Sequence, residues 1–320
     1  MQVTSNTTSL IPLIFILIGI PGLEEDGLWL SIPFVLVYTM AILGNCTLLY
    51  IIKTDRNLHE PMYFFLSLLA ANDLVFPSST VPNMLKIFWF DFREVSFTGC
   101  LVQMFFVHSL SVVESGILLA MALDRYVAIC YPLRYTSLLT SALLQKIGLV
   151  IIIRAIVTIL PIPILVRRLQ YCKYNIISHS YCEHMAVVKV ACGDVSLNSM
   201  YGLVLSLSIT GFDLLFIGLS YMMILRAVFR LPSEQARHKA FSTCGAHVCV
   251  ILVTYTPGIF SFVTYRFGQE NVPHHVHVLL ANVYILFPAM LNPMVYGIKT
   301  KQIRRRALDI FHKGGIHFCT

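Results

Sequence analysis

The chain has 320 residues, of which 57% are hydrophobic and only 12% charged. Soluble domains carry roughly twice that share of charge, so a soluble fold is excluded. The formal net charge of +7 sits on no separate basic domain, and nucleic acid is excluded as a partner.

In chain order, Asn6-Thr7-Thr8 is a glycosylation acceptor. The run IPLIFILIGIPG (11–22) resembles a signal-peptide core. No positive residue precedes it and no clear cleavage site follows, so it is expected to remain as an uncleaved outer segment. Seven apolar runs follow, over 28–52, 61–88, 98–130, 141–166, 197–229, 238–263 and 275–298. Each exceeds the ~18 residues that cross a bilayer core. Each must be helical, because a backbone amide in lipid finds no water to bond. Pro33, Pro161, Pro163, Pro288 and Pro293 fall inside these runs and mark expected kinks. Residues 1–27 are an outer N-terminus, 28–298 the bundle and 299–320 an inner helix and tail, all in one domain.

Lys53, Arg56, Arg134, Arg226, Arg230, Arg237, Lys239, Lys299, Lys301 and Arg304 to Arg306 fall on one side of the membrane if the helices alternate. The positive-inside rule then puts the C-terminus in the cytoplasm and the N-terminus outside. The other side holds Glu24, Glu25, Asp26, Asp91 and Glu94, with Arg93, Arg167, Arg168 and Lys173. One connection is long, the outer loop 167–196, rich in His, Cys and Tyr; structureless loops of that length tend to be functional. After the seventh run, KTKQIRRRALDIFHK places Ile303, Leu308, Ile310 and Phe311 among basic residues, as in an amphipathic helix on the inner membrane surface.

Of nine cysteines, Cys100, Cys172, Cys182 and Cys192 lie on the outer, oxidising side. Four cysteines allow three pairings, and every one of them ties the long loop to the third helix at Cys100. No CxxC pair marks a zinc site. His274, His275 and His277 bunch at a loop end without a carboxylate or thiolate beside them, so no metal or cofactor is expected; a pH-sensitive rim is the milder reading.

Polar groups inside a bilayer are costly and need a reason. Asn45, Asp73, Glu114, Asn282 and Asn292 are in this class, with Asp124-Arg125, Arg154 and Asp213. Asp73 and Glu114 lie at similar depth, where they could hold a small cation, share a proton, or bond to Asn45 and Asn292 to fix helix register. Arg154 has no evident partner, and a packing or lipid-facing role is expected. On the sixth helix Tyr255, Ile259, Phe262 and Arg266 step by 4, 3 and 4, and Met104, His108 and Ser111 share one face of the third. Arg266 either snorkels to headgroups and water or presents its planar fork to a carboxylate. The seventh run has no lysine for a retinal Schiff base, and no nucleophile–base pair or HExxH spacing points to an enzyme.

MALDRYVAIC at the inner end of the third helix and NPMVY at that of the seventh resemble the rhodopsin-like G-protein-coupled receptors. LHEPMYFFLSLLAANDL, MALDRYVAICYPLRY, KAFSTCGAHV and PAMLNPMVYGIKTKQIR look more specifically like the olfactory receptor family, and GIPGLE and TYRFG like its class I, fish-like branch. Leu123 replaces the aromatic more usual before the Asp-Arg pair. The resemblance covers nearly the whole chain and implies an all-α seven-helix bundle in the plasma membrane. It implies an odorant receptor for small volatiles, carboxylic acids such as fatty acids being frequent ligands in class I, which activates a stimulatory G protein and raises cAMP. A receptor for an endogenous metabolite in another tissue would use the same machinery.

It further implies that Asp124 holds Arg125 at rest, that Tyr126 and Tyr296 rearrange with it on coupling, and that Asn45, Asp73, Glu114 and Asn292 form a polar core. The implied disulfides are Cys100–Cys182 and Cys172–Cys192. The implied pocket is lined by Arg266, Phe262, Ile259, Tyr255, Met104, His108 and Ser111, with His184 and Met185 held above it by the Cys182 bridge.

Overall fold

The computed structural model describes residues 12–24, 26–172, 175–230, 233–267 and 272–316. Among these, seven helices are long and apolar enough to cross a membrane. They are Gly27–Thr54, Pro61–Phe90, Phe97–Cys130, Ser141–Arg167, Ser196–Phe229, Cys244–Thr264 and His274–Lys299. The sixth is the middle of a longer helix, Glu234–Phe267, which begins a turn earlier than its apolar run. The C-terminal helix Lys301–Ile316 follows the seventh span. The acceptor at Asn6 lies outside the described residues.

The third span is the hub, packing on the second, fourth and fifth, while the seventh packs on the first, second and sixth. Two spans break where proline forbids a regular helix. The second divides into Pro61–Ser78 and Val81–Phe90, with Pro82 in the first turn of the second piece. The fourth divides into Ser141–Ile159 and Pro161–Arg167. The break in the second span frees the Ser79 carbonyl, and Gln103 on the third span donates its side-chain amide to it at 2.8 Å.

Four cysteines gather at one end of the bundle as Cys100–Cys182 and Cys172–Cys192. At this disulfide end the run 11–22 forms a strand, β1, Ile14–Leu17. It lies between β2, Glu94–Ser96, and β3, Ile176–Ile177. β1 is antiparallel to β2, with Phe15 opposite Val95, and parallel to β3, with Ile16 opposite Ile176. Phe15 and Leu17 point down into the bundle and are buried, while Ile14 is exposed, as strand alternation requires. The Phe15 ring meets Phe97 and Tyr171 at 5.6 and 5.4 Å, so the sheet plugs that end with an aromatic cluster.

At the opposite end Arg306 of the C-terminal helix pairs with Asp55 at 2.7 Å. The Tyr63 hydroxyl donates to Gln302, and Ile303 is buried. The polar core divides into separate contacts. Asn45 donates to the Ala41 and Ala289 carbonyls, Asn292 donates to Asp73 at 2.9 Å, and Thr254 donates to Glu114 at 3.2 Å. Neither carboxylate bonds Asn45.

Candidate functional site

A cavity of about 420 Å³ lies beneath the disulfide-end loop. Its wall is built from the third, fifth and sixth spans with contributions from the second, fourth and seventh. Tyr255, Ile259, Phe262 and Arg266 all line it, as do His108, Ser111, His184 and Met185. Met104 does not. It is fully buried among Cys100, Cys182 and Val187, because the disulfide draws the loop down over that turn of the third helix. The expected helical face is therefore correct for His108 and Ser111 and ends one turn short of Met104.

The short helix His184–Val188 follows the bridged Cys182. Its first turn is capped by the Glu183 carboxylate, which accepts from the Ala186 amide at 2.7 Å. Glu183 faces the cavity, and withdrawal from water raises its pKa against the pull of those amides. His184 is buried, with its ring edge-on to His108 at 6.3 Å between centroids. Burial first, then the nearby His108 and Arg266, pushes the His184 pKa down to about 3, so the ring is neutral. The loop is tied to the seventh span by Asn282, which donates to the Ser180 hydroxyl, and by His274, which donates to the Ser178 carbonyl. His277 lies 3.1 Å from the Thr264 hydroxyl. Among the described residues no group of side chains has the make-up of a metal site.

Arg266 turns inward. Its Nη1 donates to the Ser199 carbonyl at 2.9 Å and lies 3.3 Å from the Ser199 hydroxyl, and its Cζ lies 5.3 Å from the Phe262 ring centre. Gly202 makes this possible. A Cβ there would stand 2.8 Å from His184 Cε1 and 3.0 Å from Arg266 Nη2, so any side chain would evict one of the two. The ion pairs among the described residues are Arg93–Asp91, Arg154–Asp213 and Arg306–Asp55. Arg266 thus has neutral oxygens as its only hydrogen-bond partners there.

Beneath the cavity Arg154 has a partner that was not evident in the sequence. Its side chain is partly exposed and reaches across to the fifth span. Nη1 and Nη2 clasp the two Asp213 oxygens at 2.7 and 2.8 Å, and Nη2 also reaches the Val112 carbonyl at 3.3 Å. Gly116 opens the path, since a Cβ there would lie 3.1 Å from Arg154 Nη2. Ser115 then donates to Asp213 at 2.5 Å and meets the Tyr255 hydroxyl at 2.6 Å. The third, fourth, fifth and sixth spans are thereby joined in one polar chain, of which only Tyr255 was expected at the site. Beside it Ser111 meets the Tyr284 hydroxyl at 2.5 Å, bringing in the seventh span.

The opposite end differs from expectation at one contact. Asp124 accepts from the Tyr135 hydroxyl at 2.8 Å and forms no ion pair with Arg125, whose guanidinium lies against the Met62 sulfur. Consecutive helical residues point about 100° apart, and Tyr135, which opens the short helix Tyr135–Leu138 beyond the third span, takes the Asp124 carboxylate instead. Tyr126 lies 3.5 Å from the Tyr131 hydroxyl, and Tyr296 is buried.

Residues 34–313 match the family model described as Olfactory receptor. The chain is 55% identical to human Olfactory receptor 52K1 over 309 residues, covering 97% of this chain and 98% of that protein. It is 55% identical to human Olfactory receptor 52K2 over 307 residues, covering 96% and 98%. With human Olfactory receptor 52R1 the identity is 52% over 309 residues, covering 97% and 98%.

Proposed function

The chain belongs to the olfactory receptor family, and from that premise we propose that its odorants are small carboxylic acids, fatty acids among them, anchored at Arg266. At the coarser level it is a seven-span G-protein-coupled receptor of the plasma membrane, an odorant receptor and not an enzyme.

The observation that carries the acid reading is the contrast between Arg266, which lines the cavity, and Arg154, which lies beneath it. Arg154 has a bidentate carboxylate partner, whereas Arg266 is met by a carbonyl and a hydroxyl. A guanidinium fork has five donors and suits a carboxylate. The nearby Glu183 carboxylate acts on it through space without an ion pair or hydrogen bond, which leaves the fork's charge-assisted bonds to a ligand. The alkyl part of the ligand packs on Phe262, Ile259 and Met185, in a mostly apolar pocket with few polar anchors.

The disulfide end faces outward, consistent with its oxidised cysteines, and the basic end faces the cytoplasm. The sixth span draws inward around the ligand at Arg266 and swings out at its other end. Release of Asp124 from Tyr135 and movement of Arg125, Tyr126 and Tyr296 then admit a stimulatory G protein, and cAMP rises. The ligand acts only through the difference in its affinity for the two states.

The test is a panel of fatty acids in cells that report cAMP, with Arg266→Ala matched for surface level. A charge-assisted contact is worth about 1.5–3 kcal/mol, so acid potency is expected to fall roughly ten- to a hundredfold. Unchanged potency in a surface-expressed Arg266→Ala receptor would falsify the anchor.

A further inference from the structure

The same cavity has a second polar region, which the carboxylate anchor leaves unused. On the fifth span Gly202 and Asp213 are buried, and Ser206 and Thr210 lie between them on the same helical face. Both are only half-buried because the cavity stands in front of them. Among the described residues neither hydroxyl has a hydrogen-bond partner. The hydroxyls of Thr158, Ser220 and Thr264 turn back onto carbonyls of their own helices. Those of Ser111 and Ser115 close onto Tyr284, Asp213 and Tyr255. An unpaired hydroxyl at bilayer depth is unfavourable, so two of them facing one apolar chamber mark a place for a polar atom.

Their depth sets the ligand's length. Arg266 reaches the fifth span at Ser199 and beside Gly202. Thr210 is eight residues beyond Gly202, about 12 Å along the helix axis. An extended residue spans roughly 3.5 Å over three bonds, or about 1.2 Å per bond. About ten bonds therefore separate a carboxylate at Arg266 from an oxygen at Thr210.

We infer that the cavity takes a ligand with two polar ends, a carboxylate at Arg266 and a hydroxyl or keto oxygen near the far end of a chain of about ten carbons, held by Thr210 and Ser206. This rests on the acid reading for its near end only. The hydroxyl pair makes the receptor selective for oxygenated medium-chain acids over the plain acids of equal length. The oxygen at the far end also lies one turn from Asp213 and hence next to the polar chain that joins four spans.

Thermal unfolding of the solubilised full-length receptor reads binding without a G protein, because a ligand that binds only the folded state stabilises it by mass action. The probes are decanoate, 10-hydroxydecanoate and 1,10-decanediol, with surface-level measurement of every variant. The hydroxy acid is expected to bind up to about tenfold more tightly than decanoate, the value of one net hydrogen bond. Thr210→Val and Ser206→Ala, which remove the hydroxyls with little change of shape, are expected to bring the two acids to near parity. Equal binding of the two acids by the unmutated receptor overturns the proposal, as does a full preference retained in the Thr210→Val, Ser206→Ala double variant. If decanoate binding depends on Arg266 but the hydroxy acid has no advantage, the anchor stands and the second subsite falls. If only the diol binds, and loses affinity in Thr210→Val but not in Arg266→Ala, the anchor falls and the hydroxyl subsite stands. No stabilisation by any of the three probes counts against it.

Discussion

Arg154 and Asp213 meet through two parallel hydrogen bonds, and removing either partner strands the other charge inside the bundle. Loss of one member of a buried pair costs about 3–5 kcal/mol, whereas replacing both by apolar residues of similar volume is often near neutral. Arg154→Met or Asp213→Leu alone is expected to reduce the receptor at the cell surface severely, and the double variant to recover much of it. Flow cytometry of a tagged receptor checks this; a single variant at full surface level would show that the pair is not structurally required. Both residues stand out in the sequence as intramembrane charges of opposite sign. Their partnership was not legible, because apolar runs do not say at which depth the fourth span lies against the fifth. Arg266 was legible for the reverse reason. It shares a helical stripe with three cavity residues, and a period of 3.6 needs only one helix.

The element whose role was least legible is β1. A twelve-residue apolar run resembles a leader because sequence shows hydrophobicity and not what covers it. Its partners, Glu94–Ser96 and Ile176–Ile177, are three- and two-residue strands far away in the chain, and strands so short carry no periodic signal. Six of the seven spans, by contrast, were legible to within a turn, and the sixth apolar run begins six residues ahead of its span at Cys244; lipid leaves the backbone one solution for each. Their proline breaks were partly so, as Pro161 marks one, while the other centres on Ser79-Thr80 ahead of Pro82. Phe15 is the tooth by which β1 holds the plug. Phe15→Ala should cost about 3–5 kcal/mol and visibly lower the unfolding temperature of the solubilised receptor. Phe15→Leu, which keeps most of the volume, should cost under about 1.5 kcal/mol. Equal melting of the alanine variant and the parent would show that the sheet is not anchored through this ring.

For the molecule as a whole, the basic residues and the disulfides point to opposite ends. Lys53, Arg56, Arg134 and Arg226 share one end with Arg304 to Arg306, and both bridges lie at the other. The bias predicts that a tag before residue 1 is stained on intact cells and a tag after residue 320 only after permeabilisation. It also predicts that Asn6→Gln removes one glycan's mass on a gel. The reverse staining pattern would invert the proposed direction of signalling. At the disulfide end, one turn along from Cys100, stands Gln103, whose amide nitrogen donates to Ser79 at the break in the second span while its oxygen accepts from the Cys182 backbone at 3.0 Å. An amide gives on one side and takes on the other within a single rigid plane. The plug therefore cannot tilt on its own, since lifting Cys182 either drags the broken helix with it or bares a buried backbone group. Plug and kink behave as a single lever, with its fulcrum at one planar group on the third span.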